Sequence, residues 1–88
     1  MSEIKFSEEA WKQYVDLQSY DKKMCKKINK LIKDISRNHN SGIGHPERLK
    51  DNLSGLYSRR IDEKNRLVYN INGDVIEIKE CKNHYYDK

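Results

Sequence analysis

An α+β fold, in which an N-terminal helical hairpin packs on a small antiparallel β-sheet, is predicted by three features of the chain. From Ser7 to Ser36 apolar residues recur at helical spacing. Beyond Gly55 the period changes to two. Between them Asn38, Asn40, Ser41, Gly42 and Gly44 break both patterns and read as a loop. With 88 residues the chain is expected to form one domain, 1–88.

The elements follow in order. Ile4 to Phe6 reads as a short strand. Ser7 is placed to cap a first helix, and Glu8 and Glu9 suit the positive end of its dipole. Trp11, Tyr14, Val15 and Gln18 share one side of that helix, with Ala10 and Leu17 beside them, and Trp11 and Tyr14 are expected in the core. Asp21 opens a second helix, on which Met24, Ile28, Leu31 and Ile35 form an apolar stripe widened by Cys25 and Ile32. Its other side holds Lys23, Lys26, Lys27, Lys30 and Arg37. That lysine stripe is either a solvated face or a sequence-blind contact for RNA phosphates. Pro46 is placed at the start of a short helical turn carrying Glu47, Leu49 and Lys50. Three strands are expected at Leu56 to Ile61, Arg66 to Ile71 and Val75 to Cys81, joined by the hairpin loops Asp62-Glu63-Lys64-Asn65 and Asn72-Gly73-Asp74. One face of this meander packs on the helices and the other is free for function.

Alternation sorts the strand residues. Leu67, Tyr69 and Ile71 mark the core side, which leaves Arg66 on the open face. Arg60 joins it there if Tyr57 and Ile61 turn inward, and Arg59 then points the other way.

Composition narrows the partners. Hydrophobic residues make up 35% of the chain and charged ones 36%, so the core must be thin. A chain of this size buries only about 60–65% of its unfolded surface, which makes stabilisation by a bound partner an expectation. The net charge of +4 favours a polyanionic partner. The two cysteines, Cys25 and Cys81, lack metal or redox spacing and fit a reduced, cytoplasmic setting. No apolar run suggests a signal peptide or a membrane span. His39 and His45 have no Cys/His pattern around them, so no metal and no cofactor is assigned.

Candidate chemistry gathers in the second half. Glu47 lies in Gly42-Ile43-Gly44-His45-Pro46-Glu47-Arg48-Leu49-Lys50, the arginines in Ser58-Arg59-Arg60-Ile61 and Arg66-Leu67-Val68-Tyr69, and His84 in Asn83-His84-Tyr85-Tyr86. One carboxylate, one imidazole and several guanidiniums are enough for metal-free RNA cleavage. A base takes the 2′-hydroxyl proton, an acid protonates the leaving 5′-oxygen, and cations hold the charge that builds on phosphate. Each residue also has a plainer reading. Glu47 complements a helix dipole, Arg66 pairs on the surface with Asp62 or Glu63 for about 0–1 kcal/mol, and His84 is solvated.

The same segments, with Phe6-Ser7-Glu8-Glu9-Ala10-Trp11, Lys26 to Asp34 and Asn52-Leu53-Ser54-Gly55, resemble the YoeB toxins of the RelE-like toxin–antitoxin superfamily over nearly the whole chain. The resemblance implies the RelE-like ribonuclease fold, with the site on the open sheet face, and cleavage of mRNA in the ribosomal A site. It implies Glu47 as general base, His84 as general acid and Arg66 as the arginine that stabilises the transition state. Lys50, Arg60 and Tyr85 match auxiliary positions around phosphate and base. The implied partners are a YefM-like antitoxin, mRNA and the ribosome, in a homodimer or a heteromeric complex with antitoxin. Operator DNA joins them if the pair regulates its own operon. Two departures stand out: His45 occupies a position where Lys is common, and Tyr86-Asp87-Lys88 extends past the usual His-Tyr ending. The competing reading is a non-catalytic nucleic-acid-binding module or repressor-complex subunit. Such a module has no need of a proton acceptor and a proton donor on either side of an arginine.

Overall fold

A computed structural model describes residues 3–39 and 41–83, with the side chains of residues 82 and 83 left out of the description. Strand β1 (Glu3–Phe6) leads into helices α1 (Glu8–Tyr20) and α2 (Lys22–Arg37). A long loop reaches β2 (Glu47–Arg48), a 3₁₀ turn spans Asp51–Leu53, and β3 (Tyr57–Arg60), β4 (Arg66–Asn72) and β5 (Val75–Asn83) follow. The strands form one sheet in the order β1-β5-β4-β3-β2. The meander is antiparallel as expected, but β1 runs parallel to β5, so the five-stranded sheet is mixed. The two helices intervene between β1 and the meander and return the chain to the far edge of the sheet.

The caps match the sequence. Ser7 Oγ accepts from the N–H of Ala10 at 3.0 Å, and Asp21 Oδ1 accepts from that of Met24 at 3.1 Å. On α2 the expected stripe is the buried one: Met24, Cys25, Ile28, Leu31 and Ile35 all face the core. On α1 the buried line is Ala10 and Leu17, with Tyr14 packed against the core between them. Trp11 is 52% exposed, which corrects its expected core position. Its ring instead meets Phe6 edge-on at 5.6 Å. Leu67, Tyr69, Ile76, Ile78 and Cys81 supply the sheet's side of the core. Burial pushes the Cys81 thiol up to about 12 and raises that of Cys25, so both act as packing residues at neutral pH. Among the described residues no helix is long and apolar enough to cross a membrane.

The helical turn expected at Pro46 does not form. Glu47 and Arg48 pair with Ser58 and Tyr57 as an edge strand, and the N–H of Leu49 donates to the carbonyl of Leu56 at 2.9 Å. The backbone of this segment is therefore committed to β3 rather than to its own next turn. His45, at φ 51°, reverses the chain just before Pro46, a residue tolerated at the entrance to an edge strand.

Strand β5 gains residues relative to β4: the register shifts between the pairs Tyr69↔Ile78, Val68↔Glu80 and Arg66↔Asn83. Helix α1 and its cap anchor this stretch of β5. The N–H of Cys81 donates to Gln13 Oε1 at 2.7 Å, Gln13 Nε2 donates to Glu80 Oε2 at 2.8 Å, and Ser7 Oγ donates to the carbonyl of Lys79 at 3.0 Å. An unmet N–H at that depth costs about 1–3 kcal/mol, so Gln13 fixes the bulge that leads β5 toward Asn83.

Candidate active site on the open sheet face

Register places the candidate residues. Glu47 is the partner of Ser58, and Ser58 of Val68, so these three share one face. Arg60 lies two residues beyond Ser58 and is opposite Arg66 on β4. Glu47, Arg60 and Arg66 therefore stand on the same face, away from the helices. Glu47 and Arg60 are diagonal neighbours, roughly 7–8 Å apart. From Glu47 to Arg66 the backbone separation is roughly 12 Å by strand spacing and rise. Side chains as long as these can close on a phosphodiester between them. Ser58 and Val68 are buried and form the floor. Glu47 and Arg60 are exposed and Arg66 is half-buried.

Two guanidiniums directly opposite each other on a sheet repel, and an anion placed between them reverses that cost. Glu47 also borders shallow depressions, among them one of about 770 Å³ shared with residues 41–46 and one of about 590 Å³ that includes Lys50. Lys50 follows β2 and is exposed. Arg48 turns to the opposite face, where its Nη2 donates to the Tyr57 hydroxyl at 3.3 Å and its guanidinium lies over the Tyr57 ring. His84 and Tyr85 lie outside the described residues. The last described residue of β5, Asn83, is the partner of Arg66.

Arg59 takes the inward direction that alternation gives it and is fully buried. All five of its N–H groups have acceptors. Nε donates to the Tyr69 hydroxyl at 3.0 Å. Nη1 donates to Asp34 Oδ2 at 2.6 Å and to the carbonyl of Ile43 at 3.2 Å. Nη2 donates to the carbonyls of Asn38 and Ser41, the latter at 2.9 Å. Asp34 Oδ2 also accepts the N–H of Ile43 at 3.0 Å. The Arg59 hydrogen bond holds the Asp34 carboxyl below the usual carboxylate range. This pairing therefore adds stability above the unfolded-state pKa of about 3.9, and the contribution is lost as pH falls through the lower folded value. Nothing in the sequence marks Asp34, which sits among lysines on an exposed-looking helix turn. The signal that could have found it is the inward-facing arginine, since a buried charge demands a partner.

Comparison with known proteins identifies the family and matches the fold. The model of the YoeB-like toxin of bacterial type II toxin–antitoxin systems matches residues 6–85. The chain belongs to the YoeB-like toxin family. It is 51% identical to the toxin YoeB of Escherichia coli K12 over 80 residues, covering 91% of this chain and 95% of that one. The solved YoeB dimer from Staphylococcus aureus superposes with a TM-score of 0.90 at 52% identity, covering 96% of this chain and 98% of the other. The Staphylococcus aureus toxin in a heterotetrameric YoeB–YefM complex gives a TM-score of 0.89 at 51% identity, covering 97% and 99%. The protein is accordingly a toxin of a toxin–antitoxin system, built on the two-helix, mixed-sheet fold of its family.

Proposed function

We propose that the chain is an endoribonuclease toxin that cuts mRNA in the ribosomal A site and so stops translation. Glu47 takes the proton of a ribose 2′-hydroxyl, whose oxygen attacks the adjacent phosphorus. Arg66, with Arg60 and Lys50, holds the charge that gathers on the phosphate oxygens. His84 gives a proton to the departing 5′-oxygen, and Tyr85 stacks on a base. The scheme moves protons between these side chains and the RNA and uses no metal or cofactor. The observation that carries it is the placement of one carboxylate and two opposed guanidiniums on the sheet face that the helices leave open. Family membership supports the ribosome as the setting. Incubating the purified protein with a message, with and without ribosomes halted on it with an empty A site, tests this. A cut confined to the A-site codon and dependent on ribosomes is expected. Equal cutting of the free message would contradict ribosome dependence.

A YefM-like antitoxin is the proposed partner, since the Staphylococcus aureus relative was solved with YefM. Ile4, Trp11, Val15 and Tyr20 expose apolar surface that a second chain can remove from water. A partner present at 100 times its Kd adds about 2.7 kcal/mol, which in a domain this small raises the Tm by roughly 10–20 °C. Thermal scans of the free toxin and the purified complex measure this directly, and identical melting points would contradict it.

A further inference from the structure

We infer that Arg59 is a positioning residue for the candidate base, with its buried guanidinium and Asp34 setting where Glu47 stands relative to Arg60 and Arg66. The inference rests on the role proposed for Glu47. Strand β2 is only two residues long and lies at the sheet edge, so its own pairing is too short to define its place. What comes before it is held much more firmly. Arg59 collects the carbonyls of Asn38, Ser41 and Ile43 and the carboxylate of Asp34 onto one planar fork. The neighbouring N–H of Arg60 donates to the carbonyl of Gly44 at 2.6 Å.

The loop is shaped around this fork. A side chain at Gly42 would drive its Cβ into Asp34 Oδ2, and one at Gly44 would place its Cβ 2.7 Å from a methyl of Leu31, and both glycines have positive φ. The loop is thus held against α2 and β3 at Asn38 and again at Ser41, Gly42, Ile43 and Gly44, the last of these lying three residues before Glu47. Adjacent residues of β3 serve the two faces of the sheet. Arg59 fixes the loop from behind, while Arg60 faces the phosphate site in front. Lysine keeps the charge of Arg59 but has three donors on one atom and cannot span these acceptors.

The test is a double-mutant cycle on single-turnover cleavage by the full chain on ribosome-bound message, with rates corrected for the folded fraction seen by circular dichroism. Arg59→Lys is expected to slow cutting by ~10–100-fold, the scale of a misplaced catalytic group, with the half-saturating toxin concentration unchanged. In a Glu47→Gln background the same change is expected to cost less than about twofold, because a residue acting through Glu47 has nothing left to position. Asp34→Asn, which keeps the shape of the side chain, runs the same cycle as a milder variant. Full multiplication of the two losses would overturn the positioning role while leaving the catalytic reading of Glu47 intact. So would losses wholly explained by unfolded protein in both variants. A Glu47→Gln protein that cuts at the wild-type rate would overturn the catalytic reading, and this inference with it.

Discussion

Replacing Arg66 or His84 by alanine is expected to slow single-turnover cleavage by about 10²–10³-fold and to abolish growth arrest, with the fold retained. Arg66 opens β4 on the helix-free face and is half-buried, so its loss opens no cavity in the helix-packed core. Its removal also relieves the repulsion from Arg60 directly across the ladder. What it takes away is a forked donor for two phosphate oxygens, which is worth most when the phosphorus carries extra charge in the transition state. His84→Ala removes the proton donor to the leaving oxygen instead. Circular dichroism establishes the fold, and induction at matched protein level reads toxicity. Growth arrest by a folded Arg66→Ala, His84→Ala double variant at the wild-type dose would remove both residues from the mechanism.

The apolar stripe of α2 was legible because a long helix with one buried face repeats its signal several times over. The three strands of the meander were legible from alternation and from turn residues such as Gly73 and Asp62. On helix α1 only Tyr14 of the side marked by Trp11, Tyr14, Val15 and Gln18 packs against the core, and the fully buried positions are the flanking Ala10 and Leu17. A large aromatic such as Trp11 carries no direction of its own, and here it lies against Phe6 at the surface. The edge strand at Glu47 reads as a helix start in the sequence, since two residues of strand carry no period and their pairing partner lies across a turn.

In the site, the shared open face of Arg66 and Arg60 followed from alternation, given that Tyr57 and Ile61 turn inward, while their direct opposition needs the register of β3 on β4. Placing Glu47 on their face did not, because it requires the register of β2 on β3. The Arg59 fork was hidden for a different reason: its carboxylate partner is 25 residues upstream, and three of its acceptors are backbone carbonyls that any sequence would offer. Such contacts are set by the path of the chain and leave no mark on residue type. The roles of His84 and Tyr85 rest on the family's motif positions.

The measurement that tests the central claim most directly is cleavage of a message carrying a single 2′-deoxy nucleotide at the cut position in the A site. If the neighbouring hydroxyl is the nucleophile, deleting it removes the attacking atom and leaves every base contact in place. Cutting at that position is then expected to disappear while binding to the programmed ribosome is unchanged. The unmodified message should yield a 2′,3′-cyclic phosphate or 3′-phosphate on one fragment and a 5′-hydroxyl on the other. With the ribosome's own magnesium held at a controlled free level, a chelator should not slow a single turnover on preassembled complexes. Undiminished cutting of the deoxy-substituted message, or fragments with a 5′-phosphate, would mean that water attacks the phosphorus, and would contradict the roles assigned to Glu47 and His84.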